Sequence, residues 1–453
     1  MASFPDDIMM DILARLPVKS ILRFRCVNKA WCKLLKDRKF VQKHLNHTTK
    51  KNKFSLLVNS GKDIYTMSYD PTSSILDRPV KTNFSVRSKS GIAVFGYCNG
   101  LVCISSGGSK VLFPWNPATQ EYKKLPIPEL RFPRPHSCQI DYGLGYDDKS
   151  DDFKVVFVAS YRHIPRIEVH IHKLRCDSWR YIGEFPYDLS QDSRMSDIAR
   201  VPVNGALHWI AVTDSDDLDC EAIIYFDFEK VTFVSMPLPK IPNPLDVDTF
   251  DYTKYVRRLC VLGGSLCLMC SNPEASSDVW QLDSETRNSW TKLFTVDQQK
   301  LSGCVSDLMP LWSFENGRVV LGLEMRYAGL HLILYDPKDE SSEHLRPFQV
   351  ARGRLLSISA YVESLVSLNS GTYLWQGQVE CSKEEDGYYL NGYSDEEHIG
   401  EDSEDDDDLE EEEDEQEEAQ EDTESSKKKR EEDDKEILND IRKMFTTLKK
   451  PKM

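Results

Sequence analysis

GIAVFGYCNGLVCISSGGSKVLFPWNPATQEYKKLP, residues 91–126, is the unit on which the architecture of the chain turns. Asn99-Gly100 has the composition of a tight two-residue hairpin turn, since both residues tolerate positive φ, and it separates two apolar runs of strand length. Asn116-Pro117 marks a second turn, after a strand that ends on an aromatic and a polar residue, Trp115-Asn116. The same order returns downstream. Asn204-Gly205 leads into ALHWIAV and AIIYFDFEKVTFVSMPLP, Gly263-Gly264 into SLCLMC and SDVWQLDSETRNSWTKLF, and Asn316-Gly317 into RVVLGL and LHLILYDPKDESSEHL. Their strands close on Phe226-Asp227, Trp280-Gln281 and Tyr335-Asp336. DYGLGYDDKSDDFKVVFVAS and IEVHIHKLRCDSWRYI lie between the first and second of these units. Turns at 204, 263 and 316 set a period of about 50–60 residues, the length of a four-stranded repeat.

Such units predict a mainly β chain folded as a β-propeller. Blades fall near 92–127, 140–187, 200–240, 256–297 and 310–350. The strands of 54–80 and the run ISAYVESLVSL (358–368) are left over at the two ends. Pairing them makes a sixth blade and removes the open sheet edges. The seven tryptophans beyond Trp31 are spread across the units, as packing between blades requires. A β-sandwich or an irregular all-β domain is the competing reading.

Upstream, FPDDIMMDILARLPVKSILRFRCVNKAWCKLLKDRKFVQKHL (4–45) is short, basic and helical in pattern. Ile8, Ile12, Leu13 and Leu16 recur at helical spacing. Pro5 suits a first helical turn, and Asp6 and Asp7 suit the positive end of the helix dipole. Pro17 stops that helix. Ser20 is placed to cap a second one carrying Ile21, Leu22 and Phe24. Asn28 is placed to cap a third with Trp31, Leu34 and Leu35. Phe40, Val41, His44 and Leu45 read as a fourth short turn. A module of about forty residues is hard to stabilise on its own core. Its apolar residues therefore belong to the next domain or to a partner.

Four segments of this stretch together resemble an F-box: Phe4-Pro5-Asp6-Asp7-Ile8, Ile12-Leu13-Ala14-Arg15-Leu16-Pro17, Ile21-Leu22-Arg23-Phe24 and Val27-Asn28-Lys29-Ala30-Trp31. Phe4 stands where the family usually has Leu. The resemblance implies docking on a small Skp-family adaptor, and through it a cullin. The residues it assigns to that contact are Pro5, Ile8, Ile12, Leu13, Leu16, Pro17, Leu22, Phe24, Val27, Trp31 and Leu34. Three later segments, GYCNGLVCIS (96–105), LFPWNPATQEYKKLPIPEL (112–130) and GLGYDDKSDDFKVV (143–156), resemble the kelch-like F-box-associated domain of plant F-box proteins. That likeness is specific from about 91 to 158 and fades beyond. Together the two resemblances imply a substrate-recognition subunit of a Skp–cullin–F-box ubiquitin ligase, a non-catalytic subunit that recruits a target protein. One rival is an interaction module outside any ligase whose acidic tail binds basic proteins. Another is a propeller enzyme.

The net charge of −17 misleads, because residues 401–424 hold 18 Asp or Glu and no Lys or Arg. Without them 57 basic residues stand against 56 acidic ones, which leaves no global charge argument for nucleic acid or membrane. The ten basic residues Arg15, Lys19, Arg23, Arg25, Lys29, Lys33, Lys36, Arg38, Lys39 and Lys43 could mark a nucleic-acid arm. They equally suit the solvated faces of docking helices, and the F-box resemblance favours the latter. The expected domains are 1–49 (helical module), 50–381 (propeller), 382–430 (acidic, disordered for want of aliphatic residues) and 431–453. The last is a short amphipathic helix on Ile437, Ile441, Phe445 and Leu448.

No signal peptide is visible, and the most apolar long stretch, Leu259–Cys270, is too short to span a bilayer, which takes about 20 residues. An intracellular protein of nucleus or cytoplasm is expected. Lys427–Arg430 reads as a nuclear localisation signal or as local charge balance. Cys267 and Cys270 form a CxxC inside an apolar run with no second pair, so they read as buried thiols and no metal is expected. His170 and His172, with His163 nearby, read as a solvated strand face. Asp147, Asp148, Asp151 and Asp152 suggest calcium faintly, and a hydrophilic hairpin turn explains them as well. No phosphate-binding, hydrolase or zinc-protease motif occurs, so neither a catalytic set nor a cofactor is expected.

Overall fold

The computed structural model describes residues 6–368, except 28, 52, 62, 71–74, 85–90, 107–110, 132–137, 162–163, 190–200, 204, 214–220, 240–255, 273–275, 284–288, 302–304, 326–328 and 346–356. The acidic tract and the C-terminal amphipathic helix expected from the sequence lie outside these residues, as does Trp375.

Six antiparallel sheets follow one another along the chain. Blade 1 is Ile92–Cys98, Leu101–Ser106 and Val111–Asn116, edged by Glu121–Tyr122 and Leu125–Pro126. Blade 2 is Cys138–Asp147, Asp152–Tyr161, Ile164–Lys173 and Ser178–Phe185. In blade 3, Tyr187–Asp188 and Val201–Val203 share the first position against Ala206–Thr213, followed by Glu221–Asp227 and Thr232–Met236. Blade 4 is Val256–Leu262, Ser265–Ser271, Ser276–Leu282 and Trp290–Asp297. Blade 5 is Val305–Ser313, Val319–Met325, Gly329–Asp336 and Ser341–His344. Blade 6 joins the two ends. Ser357–Tyr361 pairs in five-residue register with Ser55–Asn59, beside Ile64–Asp70, Ile75–Leu76 and Val80–Lys81.

Burial follows position in the blade. The second strand of blade 2 is buried on both faces, whereas the fourth strand of blade 5 is exposed throughout. The apolar runs of the sequence are therefore inner strands with no polar face to show. First strands from several blades meet round one central cavity, at Phe95, Tyr97, Val201, Cys260, Leu311 and Ile358. Asn99 (φ 49°) and Gly100 (φ 84°) form the expected turn, and Gly263 (59°) and Gly264 (79°) repeat it.

What decides against a sandwich is the arrangement of the cores. Each pair of neighbouring blades shares one buried apolar cluster, and there are six such seams. The seam closing the ring packs Leu57, Ile64, Phe84 and Tyr361 against Val102, Ile104, Phe113 and Trp115. Six of the seven tryptophans beyond Trp31 lie in seams. Two of them share a hydrogen-bonding device. Trp179 Nε1 donates to Pro126 O of the preceding blade at 2.7 Å, and Trp290 Nε1 to Pro237 O at 3.1 Å, each pair 53 residues apart. Gly143 and Gly145 are small because the next blade needs the space. A Cβ at Gly143 would strike Leu207, and one at Gly145 the ring of Phe228.

Several boundaries differ from expectation. Blade 3 begins at Tyr187 and blade 5 at Val305, ahead of 200 and 310, because β pairing starts before the Gly-containing turns that mark the repeat. The terminal run is a strand only to Tyr361; residues 362–368 leave the sheet. His170 and His172 are buried, not solvated. Glu168 and the rings of Phe157, Tyr181 and Trp179 enclose them.

Gly145→Ala is expected to cost about 1–3 kcal/mol by overpacking the blade 2–3 seam, read from the midpoint of urea unfolding. A chain ending at residue 356 lacks the closing strand and should aggregate or melt without cooperativity. One ending at Cys381 should melt with the full-length protein.

Candidate functional site

Four helices precede the propeller: α1 (Asp6–Leu13), α2 (Val18–Phe24), α3 (Lys29–Leu34) and α4 (Arg38–Lys50). Pro17 occupies the N-cap of α2 with no side-chain hydrogen bond. Ser20, expected as that cap, lies inside the helix and is buried, because Pro17, locked near φ −65°, already starts the turn. Asn28 and Pro5 lie outside the described residues. The expected fourth short turn is instead α4, the longest helix. Asp37 caps it, accepting from Lys39 N at 2.9 Å and Phe40 N at 3.3 Å. Phe40, His44 and Leu45 on its inner face are buried.

These helices bring the sequence-predicted residues into two groups. Leu13, only 1% exposed, belongs to the interior with Ala14, Val18, Ile21, Leu35 and Phe40, so a docking role for it is withdrawn. Leu16, Leu22, Phe24, Trp31 and Leu34 are half-buried against that core, and Phe24 meets Trp31 edge-on at 5.8 Å. Ile12 is half-buried and Pro17 exposed. Ile8 and Val27 stand out, 44% and 59% exposed. An apolar fringe therefore surrounds a small core, as a docking module requires.

One member of that core comes from beyond the last strand of the propeller. Leu365, 1% exposed, packs with Leu13, Ile21, Leu35 and Phe40. It sits on a strap, residues 362–368, that continues the closing strand beneath blade 1. Asn116 Nδ2 donates to Ser364 O at 3.1 Å and Val366 O at 2.7 Å, while Asn116 Oδ1 accepts from Ala118 N at 2.9 Å within its own turn. Leu368 N donates to Glu121 Oε2 at 2.9 Å. Gly100 leaves room for Ser364, which a Cβ would strike. The sequence signal for this strap was the apolar run continuing past Tyr361, read there as more strand.

A polar contact lies beside it. Arg38, the first residue of α4, pairs with Asp151 in the first turn of blade 2. Asp151 also receives Tyr146 Oη and, at 2.6 Å, Arg175 Nη2. Burial pushes the Asp151 carboxyl up, but Tyr146, Arg175 and Arg38 outweigh it and hold it below the usual carboxylate range. In the same turn burial acts on Asp147 too. Lys154 Nζ at 2.5 Å and the Ser150 hydroxyl prevail and bring its pKa to about 2. Each carboxylate is occupied by protein cations, and among the described residues no group of His, Cys, Asp and Glu is disposed to hold a metal. Cys267 and Cys270 are buried thiols.

His44 ties α4 to the end of α1, its Nε2–H donating to Leu16 O at 2.9 Å. Burial lowers its pKa below 6.5, more than the hydrogen bond raises it. A histidine kept neutral in the fold but free to protonate when unfolded contributes stability above about pH 6.5, lost as pH falls below it. Protection factors of the amides in α1 and α4, corrected for the slower intrinsic exchange at acid pH, should therefore fall on acidification from about pH 7 to 5. His44→Gln, which keeps a donor but does not titrate, should flatten that dependence.

Comparison with known proteins agrees with this geometry. The family model "F-box domain" matches residues 1–43, and "F-box associated beta propeller domain" matches residues 51–368. The F-box protein CPR1 of Arabidopsis thaliana is 28% identical over 372 residues, covering 76% of this chain and 85% of that protein. An F-box/kelch-repeat protein of the same plant is 29% identical over 344 residues, 73% of this chain and 87% of its own. The chain, with its helical module mounted on a six-bladed ring, belongs to the F-box proteins that carry an F-box-associated β-propeller domain.

Proposed function

We propose that this protein is the substrate receptor of a cullin-based ubiquitin ligase, acting in the nucleus or cytoplasm. The fringe of α1–α3 docks a Skp-family adaptor, and the propeller holds the target. The observation that carries this reading is the exposure of Ile8 and Val27, on a module where Leu16, Leu22, Phe24 and Trp31 are only half-buried against a core that is already complete. Burying such a fringe in an apolar groove removes it from water at roughly 25 cal/mol per Å². The part played by the chain in ubiquitin transfer is positional. Holding a target beside a charged carrier enzyme raises the effective concentration of its lysines.

Chain topology supports a division of faces. The module contacts the propeller at Ala118, Asp151 and Leu365, that is, at the first and third turns of the blades and the end of the closing strand. Those turns are mostly short, as at 99–100, 117–120, 148–151 and 263–264. From the last strand of one blade to the first of the next the chain runs longer, from Lys81 to Ile92, Pro126 to Cys138, Met236 to Val256 and His344 to Ser357, and the alternation of strand direction puts these crossings at the opposite face. Long loops on a rigid scaffold are where recognition is usually built, so the target is assigned to that face.

Ile8→Lys combined with Val27→Asp should reduce adaptor recovery in pull-downs by about tenfold or more, because unpaired charge at an interface core is costly. The melting temperature should not change, since both side chains are exposed. Wild-type recovery of the adaptor by this variant would overturn the assignment.

A further inference from the structure

We infer that Leu365 and Asn116 are positioning residues, which hold the helical module in one pose on the propeller through the strap 362–368. The inference concerns how the module is held, and it stands or falls independently of what docks there.

Among the described residues the module also meets the ring at Ala118, on the edge of its core, and through the Arg38–Asp151 pair. Its covalent link is the short connection 51–54, between Lys50 at the end of α4 and Ser55 at the start of the first strand. The Arg38–Asp151 pair is partly exposed, with the Arg38 side chain 71% accessible, and contributes little in water. A short link, an exposed ion pair and one alanine contact do not fix the pose of the helices. The strap changes that, because it joins three parts at once. Its N-terminal end is the closing strand of the ring. Its middle, Leu365, is a full member of the module's core. Its remaining backbone is fastened to blade 1 by Asn116 and Glu121.

Asn116 suits this task chemically. It is fully buried and uses both ends of its amide. The oxygen shapes the local turn by accepting from Ala118 N and Thr119 N, and the nitrogen donates to two strap carbonyls. An aspartate of the same shape keeps the first function and destroys the second, since it sets an acceptor against two acceptors. Module movement relative to the propeller therefore requires either pulling Leu365 out of the helical core or releasing the strap from Asn116. Both cost buried contacts with nothing to replace them.

Full-length protein carrying nitroxide probes on non-natural residues at exposed Lys33 and Leu293 reports the pose by pulsed electron–electron resonance. Wild type should give one narrow distance. Asn116→Asp and Leu365→Asp should each broaden it, and hydrogen exchange in α1, α2 and α4 should speed up by about tenfold, as sub-global opening becomes easier. Leu365→Met, which keeps volume and apolarity, should restore the narrow distance. Thermal melting of the propeller strands serves as the folding control. If Asn116→Asp and Leu365→Asp keep the wild-type distance distribution, the strap does not position the module and the inference fails. It also fails if only exchange changes, since that would mark Leu365 as a core residue and no more.

Discussion

The five residue pairs that join Ser55–Asn59 to Ser357–Tyr361 are the constraint on which everything else rests. A propeller has no single core. It has six seams, and each is complete only when both neighbouring blades are in place. Opening one seam exposes two apolar sheet faces, and releasing the closing strand leaves two edges unpaired. The last blade forms from strands about three hundred residues apart in sequence, so its closure entropy comes late and is recovered only when the ring is whole. Stability is consequently cooperative round the circle. Gly143 and Gly145 show how little slack the seams have, since even one methyl group there meets a neighbouring blade.

How much of this could be read from the sequence depends on whether the cause was local. Turn chemistry is local, and Asn99-Gly100 and Gly263-Gly264 adopt the positive φ that their composition demands. Inner strands are buried on both faces, so their apolar runs announced the repeat. Where a tertiary contact decides, the sequence misleads. One miss is local all the same: Ser20 looks like a cap, but Pro17, three residues earlier, already starts the helix. His170 and His172 look solvated because their type is polar, yet Glu168 and three aromatic rings enclose them. Phe40 to Leu45 looked like a turn because the Asp37 cap and the polar outer face of α4 hide a thirteen-residue helix.

The candidate site shows the same division. Ile8 stands on the stripe that helical spacing marks, while Val27 was marked only by the resemblance to the F-box; both are exposed. Leu13, on the same helical stripe, turns inward, since a stripe around a small module must serve both core and surface. Leu365 was out of reach of any local reading. Nothing in its own neighbourhood says that an apolar residue after the last strand completes a helical core begun at residue 13. The segments that resemble the F-box-associated domain acquire a physical role here: Gly100, Asn116 and Asp151 all lie on the face that carries the module.

The strap also gives the molecule a sense of time. The helices are made first, but the residue that completes their core is made some three hundred positions later. At roughly 5–20 residues per second, that gap corresponds to about 15–60 s of synthesis. Throughout that interval the nascent module lacks one buried leucine of its core and the mount that aims it. A chain cut short anywhere before the strap therefore releases an incomplete module, and one with no assembled ring to present. Completion of the last strand thus acts as a proofreading step on length, making both ends of the bridge competent together.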